Sequence, residues 1–303
     1  MNNANDAGHV TPEEIEYIEQ RAVRSPDLDL TFSQVFNPLQ IPNPDAEVGK
    51  YTVASETGEA QIIRQGSRAN KLKINGTQVT YTLDSIEIEY EIPKADIRLA
   101  RSFGSPLNVE YVDRSVRKVN EKLNALAYVG DTQFGDFQGI LEVTGVTTYV
   151  GTDLDTSGLN LFNEVQNAVN AIPQEFRRRP YFLVVADKEW KKFAAIGNDF
   201  NNQSWLSIIE SNIPNLTVVL EDELVAGADL AGGGTIATGT AMLIPNDVSL
   251  VRFPVARPVT SVVDRNSQGN DYEKSLFGRV EARYGPIEVP FPKSVVKITG
   301  WDA

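Results

Sequence analysis

The sequence of 303 residues contains no cysteine and a single histidine, His9. Without cysteine the chain can form neither disulfides nor thiolate metal sites, and one histidine cannot build a metal cluster. A membrane-spanning helix needs about 18 to 20 consecutive apolar residues, and the sequence contains no such run. We therefore expect no metal, no cofactor and no membrane partner.

Basic residues are also scarce, with 28 Lys and Arg against 41 Asp and Glu, a net charge of -13. An acidic chain repels the phosphates of nucleic acids and of anionic lipids, so broad binding to either is not expected. Residues 1–11 are polar and lack the basic start and apolar stretch of a signal peptide. This pattern predicts a protein that is made and kept in a cytoplasm.

Catalytic motifs are absent or poorly formed. There is no Gly-x-Ser-x-Gly elbow, and His9 lies in a polar terminus that we expect to be mobile. Residues 234–240 have the glycine spacing of a phosphate-binding loop, but Thr240 replaces the lysine, which favours a flexible surface loop. Glu221, Asp222 and Glu223 could pair carboxylates for acid–base chemistry, but the pattern is more typical of a solvated turn after a strand. We expect no catalytic residue and no enzyme activity.

A long amphipathic helix is predicted at residues 106–129. Ser105 is placed to cap it and Pro106 to open it. Its apolar positions recur at steps of three and four over about 24 residues, or roughly 36 Å. They are Val112, Val116, Val119, Leu123 and Leu126. A turn with Gly130, Gly135 and Gly139 follows, and then a predicted strand at residues 140–146.

The residues before this helix predict extended, outlying structure. A capping box at residues 11–14 opens a short amphipathic helix that ends at Arg24, and the proline-containing residues 25–46 are typical of an arm that lies on a partner surface. Residues 50–64 and 77–92 have strand patterns and should form a long hairpin. Its projecting tip, residues 65–76, has basic residues in or beside it: Arg64, Arg68, Lys71 and Lys73.

After the long helix the pattern is that of an α/β layer structure. Helices are predicted at residues 159–172, at 188–196 with Asp187 as cap, and at 205–211. Strands are predicted at 181–186, 216–220, 241–244 and 248–253. Three further segments, 259–264, 275–284 and 294–299, predict an antiparallel C-terminal sheet. Arg177, Arg178 and Arg179 are either an inter-subunit patch or a solvated connection.

This order of elements resembles that of Hong Kong 97-type shell proteins, and the segments that carry the resemblance are 112–119, 128–131, 138–141, 180–185, 187–193, 247–253, 273–284 and 292–298. These comprise the major capsid proteins of tailed viruses and the encapsulins. The resemblance implies an α+β fold with four parts. They are an N-terminal helix and arm (1–49), an extended β-hairpin loop (50–100), a peripheral domain with a long spine helix (101–151 and 249–303) and an α/β axial domain (152–248).

The resemblance implies a major capsid protein that self-assembles into the icosahedral shell of a tailed double-stranded DNA virus and encloses the genome. The alternative is an encapsulin shell around cargo enzymes, and a third class is an α+β enzyme or carbohydrate-binding module. The implied partners are copies of itself in pentamers and hexamers, packaged DNA bound without sequence specificity, and portal, scaffolding or decoration proteins. The implied location is the virion, assembled in the host cytoplasm. Arg64, Arg68, Lys71 and Lys73 are expected to contact acidic surface of the adjacent copy.

Overall fold

The computed structural model describes residues 30–57, 73–92, 107–131, 133, 137–154, 158–198, 203–230, 233–264 and 276–301. The helices in this part are α1 Phe32–Val35, α2 Leu107–Tyr128, α3 Gly158–Asn170, α4 Asp187–Ala194 and α5 Trp205–Asn212. The strands are β1 Asn37–Gln40, β2 Val48–Thr57, β3 Lys73–Thr82, β4 Asp84–Ile92, β5 Thr147–Val150, β6 Tyr181–Val185, β7 Ile196–Asn198, β8 Gln203–Ser204, β9 Leu216–Leu220, β10 Ala241–Pro245, β11 Arg252–Asp264, β12 Leu276–Tyr284 and β13 Val296–Thr299. The fold is α+β, as the sequence predicts.

The long helix α2 packs on a four-stranded sheet of order β1-β11-β12-β4. In this sheet β1 runs parallel to β11, while the β11–β12 and β12–β4 pairs are antiparallel. Val119, Leu123 and Leu126 of α2 are buried in the same core as Ile92 of β4 and Val280 of β12. The predicted helix and its apolar seam are confirmed at residues 107–128.

A glycine turn follows α2, and two of its glycines are required for different reasons. Gly130 has a φ of 83°, which side chains other than glycine rarely adopt. A Cβ on Gly139 would lie 2.4 Å from the Tyr128 carbonyl oxygen, so the backbones can approach only without a side chain. The strand predicted at residues 140–146 is wrong, because a 3₁₀ helix, Ile140–Glu142, forms there. It buries the consecutive side chains Ile140 and Leu141 in one core, whereas a strand would direct them to opposite faces.

A second sheet has five strands in the order β5-β13-β10-β6-β9. Every residue of β6 and of β10 is buried, because both faces of this sheet are covered. Phe182 and Val184 face the core that contains α2, while Leu183 and Val185 face a second core. Helices α3, α4 and α5 supply the second core with Leu161, Val165, Ala168, Phe193 and Ile209, and Ile172 joins it from the turn after α3. The predicted α/β layer is therefore confirmed in its helices and its central strands.

The C-terminal prediction needs two corrections. The last predicted strand does not join β11 and β12, because β13 lies between β5 and β10 in the five-stranded sheet. Val296 and Ile298 are fully buried there, because the face of β13 that they share covers the second core. The strand predicted at 248–253 begins only at Arg252, since Asp247 accepts hydrogen bonds from the N–H and hydroxyl of Ser249 and holds a turn.

The predicted arm also differs from the structure. Residues 1–29 lie outside the described part, but residues 30–46 pack on their own chain. Val35 and Phe36 are buried, and the Phe36 ring packs edge-on against Tyr128 of α2 at 5.1 Å. Strand β1 then pairs with β11 of the same chain. The arm prediction overlooked that the core of the same chain accommodates Val35 and Phe36 and that Phe32 packs against this core.

Asp187 is not the cap of α4, as the sequence suggests, but its first residue. Ala186 occupies the cap position, and no side chain caps the helix. The Asp187 carboxylate instead pairs with Lys191 one turn later at 2.5 Å. The Asp187 carboxylate still stabilises α4, since a negative charge near the N-terminus interacts favourably with the positive end of the helix dipole.

Candidate assembly surfaces

Strands β2 and β3 form a two-stranded ribbon that is separate from both larger sheets. Its register runs from Val48 opposite Thr82 at one end to Thr57 opposite Lys73 at the other. A two-stranded ribbon is confirmed, but β3 begins at Lys73, inside the predicted tip of residues 65–76. It ends at Thr82, and the chain turns at buried Leu83 into β4. Residues 84–92 therefore belong to the four-stranded sheet and not to the hairpin.

The ribbon carries apolar side chains that the described part of the chain leaves exposed. Val48 is 51% exposed and Ile74 is 62% exposed, and Val79 is exposed as well. All residues from Ile74 to Thr80 lie on the surface. Isolated two-stranded ribbons are marginally stable in water because they bury little apolar area. The ribbon is therefore a surface that a partner would stabilise.

The base of the ribbon is seated on the body by two tyrosines. The Arg252 guanidinium lies 5.0 Å from the centre of the Tyr51 ring, within the range of a cation–π contact. Arg252 is itself held by Glu288, with 2.5 Å between Nε and the carboxylate. The Tyr81 ring packs 6.2 Å from that of Tyr51. Burial, and after it the negative charge of Glu288, raises the pKa of both tyrosines, so their hydroxyls stay protonated.

The basic tip predicted from the sequence falls mostly outside the described residues. This holds for Arg64, Arg68 and Lys71. Lys73 is the first residue of β3, and its backbone pairs with Thr57 at the far end of the ribbon. Their contact with an adjacent copy stays a prediction.

Two of the three consecutive arginines are engaged within the chain. Arg177 donates from Nη2 to the carbonyl oxygens of Asn170 at 2.7 Å and Ile172 at 3.0 Å, and so satisfies the C-terminal end of α3. Arg179 pairs with Asp247 at 2.7 Å. The Ser249 hydroxyl, and then Arg179, lowers the pKa of Asp247. Arg178 is exposed, as its two neighbours are, and an inter-subunit contact of these arginines stays a prediction.

The carboxylate of Glu221 contradicts the prediction of a solvated turn, because it is fully buried. It accepts hydrogen bonds from the Thr31 hydroxyl, from Asn124 Nδ2 at 2.8 Å and from the backbone N–H of Glu223 at 3.0 Å. The Thr31 hydroxyl also lies 2.8 Å from the Tyr128 hydroxyl. Asn124 completes the cluster, since its Oδ1 accepts from the N–H groups of Thr31 and Phe32 at 3.2 and 3.0 Å.

This cluster, which we call the Glu221 cluster (Thr31, Asn124, Tyr128 and Glu221), joins three distant parts of the chain. It links the start of α1, the last turns of α2 and the end of β9. Burial raises the pKa of Glu221 even though the surrounding donors act in the opposite direction. Burial and the Glu221 charge likewise raise the pKa of Tyr128. Sequence reasoning missed this cluster, and its only signal was a polar Asn124 beside the apolar seam of α2.

Residues 234–240 form a loop that lies mainly on the surface, as predicted, since Gly234, Thr235, Ala237 and Thr238 are exposed. The buried side chains of Ile236 and Thr240 anchor this loop to the body. The Thr240 hydroxyl donates to the carbonyl oxygen of Ala237 at 2.7 Å, and strand β10 follows directly. His9 lies outside the described part. Among the described residues no cluster of acidic or histidine side chains is arranged to hold a metal ion.

Within the same residues, no helix has the length and apolar character needed to cross a bilayer. The sequence model of the family described as "Major capsid protein" matches residues 58–300. The chain belongs to this family of major capsid proteins. A comparison with curated protein sequences found no match.

Solved capsid structures share the fold over almost the whole chain. The capsid of Myoviridae phage XM1 has a TM-score of 0.72 at 16% identity and covers 97% of this chain and 100% of its own. The structure of Mycobacterium phage Bobi has a TM-score of 0.63 at 12% identity, and the match covers 96% of this chain and 98% of the phage chain. The crystal structure of a virus-like particle from Pyrococcus furiosus has a TM-score of 0.53 at 11% identity, and the match covers 88% of this chain and 90% of the particle's chain. The expected capsid fold is thus confirmed, and the encapsulin alternative is not favoured.

Proposed function

We propose that the chain self-assembles into the closed icosahedral shell of a tailed double-stranded DNA virus and encloses the genome. The observation that carries this proposal is the β2–β3 ribbon of a major capsid protein, because its own body leaves its apolar side chains exposed. In a lattice of identical copies, each ribbon can be covered by a neighbour. Assembly then supplies stability that the single subunit lacks.

The proposal includes the partners and the location that this function requires. The copies form pentamers and hexamers, and portal, scaffolding or decoration proteins attach to the shell. The net charge of -13 suits a container that must not bind DNA tightly while it is filled. Shells form in the host cytoplasm and end in the virion. Membership of a capsid protein family supports a structural role without catalysis.

Electron microscopy of the purified chain and of particles from its native source tests this function. We expect closed shells of uniform size from the chain, and native particles with tails that protect DNA from nuclease. Closed shells filled with protein and free of DNA would instead support the encapsulin alternative. A chain that stays monomeric across a wide range of concentration and ionic strength would contradict both.

We further propose that Arg64, Arg68, Lys71 and Lys73 contact acidic surface of the adjacent copy. One suitable surface is β4, where Glu87, Glu89 and Glu91 alternate with residues that face α2. All three are exposed, and none forms an ion pair with any other residue that the structure describes. The four basic residues are a local exception in an acidic chain, so opposite charges favour this pairing.

Charge reversal tests the pairing. Replacing the four basic residues with glutamate should abolish closed shells while leaving soluble subunits, and replacing Glu87, Glu89 and Glu91 with lysine should do the same. Combining both sets should restore shells, because the charges are again opposite. The matched control is Glu175→Lys, an exposed charge reversal on the α3–β6 connection. Normal shells from either reversed set would refute the pairing.

We retain the division into four parts as a proposal, but two strands of the peripheral segments belong to the sheet of the axial segment. Strands β5 and β13 fall in the peripheral segments 101–151 and 249–303, yet they pair in the sheet of the axial segment 152–248. We also retain Arg177, Arg178 and Arg179 as an inter-subunit patch in which Arg178 makes the contact.

A further inference from the structure

The ribbon is attached to the body through a small set of contacts at its base. Tyr81 stands opposite Gly49 in the ribbon, and its ring lies across that glycine, where a Cβ would come within 2.0 Å of the ring. On the body side the ring approaches Gly285, where a Cβ would lie 3.1 Å from Tyr81 Cδ2. The ring of Tyr81 is thus held between Gly49 of the ribbon and Gly285 of the body.

The second contact is that of Tyr51 with Arg252, and the body holds Arg252 firmly. Its backbone N–H donates to the Glu288 carbonyl oxygen at 3.1 Å, and the Glu288 N–H donates back at 3.0 Å. The two side chains are also ion-paired, and Glu288 is buried. Because both the main chain and the side chain of Arg252 are held by Glu288, the guanidinium that contacts the Tyr51 ring has a fixed position.

The third contact closes the ribbon at its base. The N–H of Leu83 donates to the carbonyl oxygen of Glu47 at 2.9 Å, one step before the first ribbon pair. Leu83 is buried and approaches Gly285 at a distance similar to that of Tyr81. Beyond these contacts, Thr52, Ala54 and residues 74–80 are all exposed. The direction of the ribbon therefore depends on its base.

We propose that Tyr51 and Tyr81, seated on Arg252, Glu288 and Gly285, form a joint that sets the angle between ribbon and body and thereby the curvature of the shell. The proposal rests on the shell function proposed above. Strands of ten residues span about 33 Å, so a tilt of about 10° at the base moves the far end by about 6 Å. This exceeds the roughly 4.8 Å between paired strands and would misplace every contact there.

Closed shells of uniform size require each kind of contact to recur with a narrow range of angles, so a loose joint should yield particles of many sizes. The test variant replaces Tyr51 and Tyr81 with leucine, which removes the rings but keeps apolar bulk. The conservative variant replaces both with phenylalanine, and the control is Thr80→Ala on the opposite face of the ribbon. Electron microscopy should show a broad range of diameters and open sheets for the leucine variant, but one diameter for the other two.

A second measurement uses the unassembled subunit and does not depend on shell formation. Because the chain has no cysteine, Gln78→Cys and Glu175→Cys introduce a unique pair of spin labels, one on the ribbon and one on the body. Pulsed electron paramagnetic resonance should give a narrow distance distribution for the parent and phenylalanine chains. The distribution should become at least twice as wide with leucine, and Tyr51→Leu alone should show the effect if the double variant does not fold.

The outcomes separate this proposal from the shell function. A parent chain that forms no shells contradicts the proposed function, while the label distances still test the joint. Leucine variants with unchanged diameters and an unchanged distance distribution would overturn the joint. Phenylalanine variants as heterogeneous as the leucine variants would overturn it too, because ring seating would not be the determinant.

Discussion

Replacing Glu221 by glutamine tests whether a buried carboxylate limits the stability of the subunit at neutral pH. The folded state raises the pKa of Glu221 above its ordinary value of 4.5, chiefly through burial. A raised pKa means that the folded state binds the proton more tightly than the unfolded state. The stabilisation is therefore complete below 4.5 and is lost as pH rises through the folded-state pKa.

The expected size follows from the hydrogen bonds of the Glu221 cluster. Glutamine keeps the shape of the protonated acid, can accept from Asn124 and the Glu223 N–H, and can donate to the Thr31 hydroxyl. At low pH, E221Q should therefore unfold within about 1 kcal/mol of the parent chain. Each unit of upward pKa shift then favours the variant by about 1.4 kcal/mol at alkaline pH. E221A should lose at least about 3 kcal/mol, since three buried donors are left without an acceptor.

Denaturant unfolding of unassembled subunits, followed by tryptophan fluorescence from acid to alkaline pH, measures these differences. The pKa of Glu223 is raised as well, first by burial, which both chains share, and next by the charge of Glu221, which E221Q lacks. The difference between the two chains therefore reports the Glu221 carboxylate together with its effect on Glu223. The matched control is Glu87→Gln, an exposed position on β4.

The reasoning fails if E221Q and the parent chain show the same dependence of stability on pH. It also fails if the advantage of the variant falls as pH rises, since the sign would then be that of a carboxylate stabilised by its donors. A loss in E221A no larger than that in Glu87→Gln would show that the buried donors find other partners.

Four further variants can be checked by the same unfolding measurements. Trp301→Ala should cost about 3–5 kcal/mol, because this fully buried ring packs against Phe193 in the second core; a cost below about 1 kcal/mol would contradict that packing. Gly139→Ala should cost about 1–3 kcal/mol or more, since its Cβ would collide with the backbone of Tyr128, and a neutral result would show that the turn can relax. Arg177→Ala should cost about 1 kcal/mol through the lost carbonyl contacts of α3, whereas Arg178→Ala should stay within about 0.5 kcal/mol; equal costs would refute the distinction.

The sequence was sufficient for elements whose apolar pattern has one clear period. The apolar seam of α2 predicts a helix because burial on one face produces a periodic pattern of apolar residues. The continuous apolar run of β6 predicts a strand because that strand is buried on both faces. The ribbon could be predicted because apolar and polar residues alternate along its strands. Positions of secondary structure followed from such local patterns.

Sequence reasoning failed where long-range packing decided the outcome. Ile140 and Leu141 are compatible with a strand, and only the surrounding core selects a 3₁₀ turn. Nothing near Glu221 in the chain announces that Asn124 and Thr31 will surround it, since those partners are 97 and 190 residues away. The basic ribbon tip was predicted from charge alone and remains a hypothesis.

The distance in sequence between Thr31 and Glu221 has a consequence for synthesis of the chain. Ribosomes add about 5–20 residues per second, so roughly 10–40 seconds separate the appearance of these two residues. During this interval Phe32, Val35 and Phe36 have no completed site to enter, and β1 must wait longer still for β11. The nascent chain therefore exposes an apolar segment until most of the chain has been translated.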